Sequence, residues 1–150
     1  MSFWQAVQTC FQKYIDFSGR AGRAEYWWFT LFLVVASIVL GIFDAMTFGI
    51  ELDSPQVFSN IFAIATLIPS LAVTWRRFHD INKSGWWCLL MFAIMVIGGA
   101  FIGAGIVISA GLVGLGILAL LGGLIWNIIW AATPGDMGEN QYGPDPRATA

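Results

Sequence analysis

The feature that most constrains this chain is a run of 48 residues, from Trp86 to Thr133, that contains no Asp, Glu, Lys or Arg. A bilayer core of about 30 Å is crossed by a helix of roughly 20 apolar residues, so this run is long enough for two crossings. The turn between them is predicted at residues 109–111, where Ser-Ala-Gly makes the run least apolar. Two shorter uncharged runs each fit a single crossing. The sequence therefore predicts four transmembrane helices, at residues 26–43, 57–75, 86–108 and 112–133.

The composition excludes the main classes of soluble protein. The chain is 58% hydrophobic and 11% charged, whereas a soluble domain has roughly 25% charged residues. So few charges cannot cover the surface of a soluble enzyme of 150 residues. A net charge of −2 argues against a nucleic-acid-binding protein, which needs a basic surface, and the high hydrophobicity argues against disorder. We therefore expect a single integral membrane domain over residues 1–150.

The basic residues predict the orientation in the membrane. All seven fall before the first predicted span, between the second and third, or after the fourth: Lys13, Arg20, Arg23, Arg76, Arg77, Lys83 and Arg147. The loop between the first two spans carries only the acids Asp44, Glu51 and Asp53. Cytoplasmic loops carry the excess of Lys and Arg. The sequence therefore predicts that both termini and the second loop face the cytoplasm.

Two segments flank the predicted spans. Residues 2–16 have apolar side chains at helical spacing, with Ser2 as a suitable N-cap, which predicts an amphipathic helix in the membrane interface. This helix would serve as a membrane anchor or, alternatively, as a docking helix for a partner. Residues 134–150 begin with Pro-Gly and contain further Gly and Pro, which predicts a turn-rich cytoplasmic tail. We expect the tail to fold back onto the two basic segments, with arginines pairing with its acids.

Three polar stretches carry a resemblance to a known family. They read F-x-G-R-x-x-R-x-E-Y-W at residues 17–27, R-R-x-H-D-x-x-x-S-G-W-W at 76–87 and P-G-x-x-G-x-N-x-Y-G-P-D-P at 134–146. In this order they resemble the domain of unknown function 805 family, the YhaH-like small bacterial inner-membrane proteins. Phe78 is a conservative departure from the second pattern. The resemblance covers nearly the whole chain and implies a multi-pass protein of the bacterial inner membrane, but no established activity.

The predicted topology brings these stretches to one face as a candidate interaction cluster. Its members are Arg20, Arg23, Glu25, Arg76, Arg77, His79, Asp80, Ser84, Asp136, Glu139, Asn140, Tyr142 and Asp145. Arg20 and Arg23 would bind lipid phosphate or act as snorkelling anchors. Glu25 is expected to pair with an arginine of the second stretch. Ser84 is predicted to cap the third span.

His79 and Asp80 allow two interpretations. In the first, His79 is a hydrogen-bonded structural residue. In the second, it binds a metal ion or responds to pH, with Asp80 as its orienting carboxylate. His79 is the one histidine in the sequence, so a metal site would need acids from the tail. No metal-ligand spacing is present, and we assign no metal.

Three classes of function follow from these observations. The sequence favours a non-enzymatic accessory or scaffold protein that contacts membrane lipids or another membrane protein, without nucleic acid or cofactor. Gly99 and Gly103 form a G-x-x-x-G motif, which permits close helix approach and a homo-oligomer. The first alternative is a small oligomeric transporter or channel subunit, for which Asn127 and Pro69 are the intramembrane signals. The second is a membrane-embedded enzyme that uses His79 and Asp80, but the sequence contains no recognisable catalytic constellation.

Overall fold

The structure, a computed structural model, describes residues 1–51 and 54–148 and is helical in architecture. Within these ranges α2 to α5 are long and apolar enough to cross a membrane, and α1 is short. The predicted all-α class with four transmembrane helices is therefore confirmed. In chain order the helices are α1 (Phe3–Gln12), α2 (Arg23–Phe48), α3 (Val57–Asp80), α4 (Trp86–Ile108) and α5 (Ala110–Ala132).

Two of the long helices extend beyond the uncharged runs that predict them. α2 begins at Arg23 and ends at Phe48 rather than covering 26–43, and α3 continues past Trp75 to Asp80. An uncharged run marks only the apolar part of a helix. The hydrogen-bonded backbone of the helix continues beyond this part where the charged side chains have partners or contact water. α4 and α5 are separated by Ser109 alone, whose side chain accepts the backbone N–H of Leu112.

Asp44 lies within α2 rather than in the loop after it. Its buried carboxylate accepts the backbone N–H groups of Phe58 at 2.9 Å and Ser59 at 2.8 Å. These N–H groups belong to the first turn of α3, where a helix has no internal acceptors. Asp44 therefore caps the neighbouring helix and connects α2 to α3. Asp53, the third acid predicted for this loop, lies outside the described residues.

α1 covers Phe3–Gln12 instead of the predicted 2–16. Ser2 caps it as expected, and the Gln5 side chain completes a capping box by accepting the Ser2 backbone N–H. Its small buried residues Ala6, Val7 and Cys10 face the rest of the molecule, and α1 packs against both α2 and α3. Phe11 contacts aromatic rings of α2, so the helix is fixed on its neighbour and is more than a surface anchor.

The four long helices form two hairpins, α2–α3 and α4–α5, of which α4–α5 has the more extensive contact. Buried side chains join the hairpins near the beginnings of α2 and α4 and the ends of α3 and α5. One cluster contains Cys10, Ala21, Tyr26, Phe29, Val73 and Ala131. A second contains Phe78, Cys88 and Met91, with Trp75, Trp126 and Trp130 packed against it. We call this region, formed by residues 13–25, 76–87 and 133–148, the polar end.

Candidate functional site

Asp80, the last residue of α3, lies at the centre of the polar end. One oxygen of its carboxylate is 2.9 Å from Arg20 Nε, and the other pairs with Arg77 of the same helix. All three side chains are buried, with Asp80 only 3% exposed. The charge of Asp80 is thus shared between two guanidinium groups, which is the arrangement that a buried carboxylate requires. Asp80 links the segment before α2 to the end of α3.

Arg77 also donates hydrogen bonds to carbonyl groups at the end of α5. Its Nε donates to the backbone oxygen of Ala131 at 3.0 Å, and its Nη2 donates to that of Thr133. The last carbonyl groups of a helix have no internal donors and carry partial negative charge. A guanidinium group at this position satisfies both the hydrogen bonds and the charge. Arg77 therefore connects the two hairpins at the polar end.

The side chain of Arg20 holds the tail by hydrogen bonds to the tail's backbone. Its guanidinium donates to the carbonyl oxygens of Asp136 and Gly138, each at 2.5 Å, and of Gly143 at 3.3 Å. The tail therefore folds back as expected, but the expected pairing of arginines with its acidic side chains was wrong. The carboxylate that neutralises Arg20 comes from Asp80, and the successive turns of the tail present carbonyl oxygens to the same guanidinium.

The acidic side chains in the described part of the tail do not pair with the buried arginines. Asp145 pairs with Arg147 at 2.7 Å, and hydrogen bonds from this arginine hold the Asp145 pKa well below its ordinary value. Asp136 and Glu139 are exposed to solvent. Gly135 lies so close to the Asp80 carboxylate that a β-carbon there would overlap it. A backbone bond from Asp136 N to Asp80 O, 2.9 Å long, fixes the tail at the same point.

A second buried ion pair joins Glu25 to Arg76 at 2.7 Å, as the sequence predicts for Glu25. Arg76 is fully buried, and within the described residues its Nε and Nη2 have no partner. Cys10 lies beside this pair, with its sulfur 3.9 Å from the Glu25 carboxylate. Burial and the neighbouring carboxylate raise the pKa of the Cys10 thiol to about 12, so it stays protonated and unreactive.

His79 is held by contacts with the segment before α2 and with the tail. Its Nδ1 donates to the backbone oxygen of Gly19 at 3.0 Å, and its ring stacks on Tyr142 with centroids 3.8 Å apart. Asn140 donates to the His79 backbone oxygen at 2.9 Å, so two tail residues hold it. In residues 1–51 and 54–148, no three His, Cys, Asp or Glu side chains converge as a metal site would require. These contacts match the hydrogen-bonded structural interpretation of His79.

The remaining predicted residues lie nearer the surface. Ser84 is half-buried and accepts the Trp86 backbone N–H at 3.4 Å, but the N-cap of α4 is Gly85, so the predicted capping role of Ser84 was wrong. Arg23 is exposed, and its guanidinium makes no hydrogen bond or ion pair to any residue that the structure describes. Deeper in the bundle, the Asn127 amide accepts the Tyr26 hydroxyl at 2.7 Å and contacts the sulfur of Met91. Asn127 therefore links three helices.

Tyr14, which the sequence placed on the apolar face of the interfacial helix, lies after the end of α1 and has a different structural role. Its hydroxyl donates to the backbone oxygen of Ala65 in α3. Pro69, four residues further on, has no N–H to bond this oxygen. The sequence signal was available, because a proline inside a predicted helix leaves the carbonyl of the fourth residue before it without a donor. The identity of the donor, however, depends on the tertiary structure.

Two open cavities meet at Arg23. One, of about 600 Å³, is lined by Arg23, Ala24, Trp27, Trp28, Leu31 and Ala132, between α2 and the end of α5. The other, of about 350 Å³, lies at the beginning of α2 and is bordered by the tail residues Pro146 and Arg147. Arg23 and Ala24 line both. Arg23 is thus an exposed cation at the border of both cavities.

Comparisons with known proteins agree with this architecture. The model of a family described as "Protein of unknown function (DUF805)" matches residues 14–144. Inner membrane protein YhaH of Escherichia coli (strain K12) is 32% identical over 136 residues, which cover 91% of this chain and 91% of YhaH. Inner membrane protein YhaI of the same strain is also 32% identical, over 91% of this chain and 90% of YhaI. No solved structure matches the chain.

Proposed function

This chain belongs to the DUF805 family and is an integral inner-membrane protein, and from that premise we propose that it is a non-enzymatic accessory protein whose polar end contacts anionic lipid headgroups in the cytoplasmic leaflet. The observation that carries this proposal is the division of the cations into two groups. Arg20, Arg76 and Arg77 are buried and paired within the chain. Lys13, Arg23 and Lys83 are exposed at the same end.

The two groups have different roles. The buried arginines fix the shape of the polar end, because each connects segments that are distant in sequence. The exposed cations are free to attract anionic headgroups, at about 1 kcal/mol for each Lys or Arg near such a surface. Trp27, Trp28 and Trp86 are 38%, 40% and 68% exposed near them, and tryptophan favours the headgroup level.

The orientation in this proposal rests on the distribution of charge. All seven Lys and Arg residues belong to the polar end, whereas Asp44 and Glu51 belong to the opposite end. Loops rich in Lys and Arg remain in the cytoplasm. With the native cysteines replaced by alanine, a membrane-impermeant maleimide should label Glu51→Cys but not Lys83→Cys in intact spheroplasts. The reverse labelling pattern would overturn the orientation.

The headgroup contact is tested by lipid analysis. The protein is purified in mild detergent from membranes that contain phosphatidylethanolamine and phosphatidylglycerol. The wild type should retain phosphatidylglycerol in excess of its membrane share, and the variant Lys13→Gln/Arg23→Gln/Lys83→Gln should lose this excess. Glu51→Gln, which changes one charge at the opposite end, is the matched control. Equal phosphatidylglycerol retention by the wild type and the triple variant would overturn the proposal.

A further inference from the structure

We propose that the groove between α2 and the end of α5 binds one anionic phospholipid, with its phosphate at Arg23 and an acyl chain along Trp27 and Leu31. This inference rests on the proposed function and deepens it, because it replaces a general attraction to headgroups with a single site. The three observations that carry it are the apolar lining of the groove, the exposure of Arg23 and the charges around it.

The lining of the groove suits an acyl chain. Its volume is about 600 Å³, and apart from Arg23 its lining side chains are alanine, tryptophan and leucine. Trp27 and Leu31 are one helical turn apart on α2 and are 38% and 44% exposed. From Arg23 to Leu31 the helix rises by about 12 Å, which leads from a charged rim into the apolar part of the bilayer. The lining therefore changes from cationic to apolar along the direction in which a phospholipid changes from phosphate to hydrocarbon.

Arg23 differs from the other arginines of the chain. Arg20, Arg76 and Arg77 are buried in ion pairs, and Arg147 is paired with Asp145. Arg23 is exposed at the first position of α2 and has no partner among residues 1–51 and 54–148. A guanidinium group binds phosphate through two parallel N–H···O bonds. Its place at the rim of the groove puts this donor where the phosphate of a bound lipid would lie.

The surrounding charges favour an anion beside Arg23. Glu25 borders the adjoining pocket, but its charge is neutralised by Arg76. Asp145 is neutralised by Arg147, and Asp80 is shared between two arginines. Gly22 provides no side-chain cap for α2, and the partial positive charge at the beginning of a helix adds to that of Arg23. The exposed acids Asp136 and Glu139 are screened by water.

The test is native mass spectrometry of the protein released from nanodiscs of phosphatidylethanolamine and phosphatidylglycerol. We expect one phosphatidylglycerol to remain on the wild type after the other lipids have been stripped by collisional activation. Arg23→Gln should lower its occupancy about tenfold, since a charged hydrogen-bonded contact is lost. Ala132→Phe should lower it as well, because it fills the groove without changing a charge. Lys83→Gln, which removes an exposed cation outside the groove, is the matched control.

The possible results distinguish the single lipid site at Arg23 from the general attraction of the polar end to headgroups. If Lys83→Gln lowers the occupancy as much as Arg23→Gln, the specific site is overturned while the general attraction to headgroups stands. If the wild type retains no phosphatidylglycerol in preference to phosphatidylethanolamine, both proposals fail. If glycerol phosphate displaces the lipid at equal concentration, the acyl-chain part is overturned. Arg23→Lys keeps the charge but loses the planar fork, and an intermediate occupancy with an unchanged melting temperature would support direct contact with the phosphate.

Discussion

At the scale of single residues, Pro69 in α3 shows how a backbone defect is compensated by a distant side chain. The ring of Pro69 is fully buried, and the proline supplies no N–H to the carbonyl of Ala65. A carbonyl group without a donor destabilises the folded state where water is scarce, as it is within a membrane. The hydroxyl of Tyr14 donates to this oxygen from the segment between α1 and α2. Tyr14 thereby attaches its own segment to the middle of α3.

This contact predicts a coupling between two substitutions. Tyr14→Phe removes the hydroxyl alone and should lower the free energy of unfolding by about 1 kcal/mol. In a Pro69→Ala background the same change should have almost no effect, because residue 69 then supplies the missing N–H. The measurement is reversible unfolding of the four proteins in mixed detergent micelles. An equal loss from Tyr14→Phe in both backgrounds would show that the hydroxyl does not serve the carbonyl left by Pro69.

At the scale of elements, glycine position decides how α4 and α5 approach each other. β-carbons at Gly98, Gly105 and Gly116 would meet atoms of the opposite helix. Gly99 and Gly103, which form the G-x-x-x-G motif, face open space within the described chain. Adjacent positions on a helix differ by about 100°, so Gly98 can face α5 while Gly99 does not. The predicted homo-oligomer through Gly99 and Gly103 stays a prediction.

The hairpin supplies a matched pair of substitutions. Gly116→Ala places a methyl group against Ile102 and the Gly98 carbonyl, and should destabilise the protein by about 1–3 kcal/mol through overpacking. Gly114→Ala lies two residues away in open space and should be neutral or slightly stabilising, because alanine favours a helix. The readout is the melting temperature in detergent, followed by tryptophan fluorescence. Equal melting temperatures for the two variants would contradict the close approach of α4 and α5 at Gly116.

At the scale of the whole molecule, the polar end connects all parts of the chain. Asp80 joins Arg20 and Arg77, Arg77 reaches the end of α5, and Arg20 holds the tail. Removing one member of a buried ion pair costs more than removing the whole pair, because it leaves an uncompensated charge. The stability of the polar end should therefore depend on Asp80 much more than on the acids of the tail.

The test makes the same substitution, Asp to Asn, at a buried position and at an exposed one. Asp80→Asn leaves two buried arginines without their carboxylate and should cost about 3–5 kcal/mol in unfolding free energy. It should also release the tail, which limited proteolysis would detect as faster cleavage after residue 133. Asp136→Asn changes an exposed carboxylate and should alter stability by less than about 0.5 kcal/mol. Comparable losses from both variants would contradict the prediction that the polar end depends on Asp80 much more than on the acids of the tail.

The sequence by itself determined the architecture of this protein. The lengths of the uncharged runs require four crossings, and the turn at Ser109 and the Ser2 cap follow from local residue types. These properties depend on neighbours in sequence and on the thickness of the bilayer, both of which are known before folding. The membership of the candidate cluster followed from the same topology, because three polar stretches must meet at one end.

Only the tertiary structure decided which members of that cluster are free to bind a ligand. Four of the five arginines of the polar end look alike in sequence, yet Arg20, Arg76 and Arg77 are buried in ion pairs and Arg23 is exposed. The exposure of a long side chain is determined by the carboxylates and carbonyl groups within its reach. Apart from Asp80, which is three residues from Arg77, these partners lie about 50 to 120 residues away along the chain. No local sequence pattern specifies contacts between residues so far apart in the chain, because these contacts form only when the helices pack.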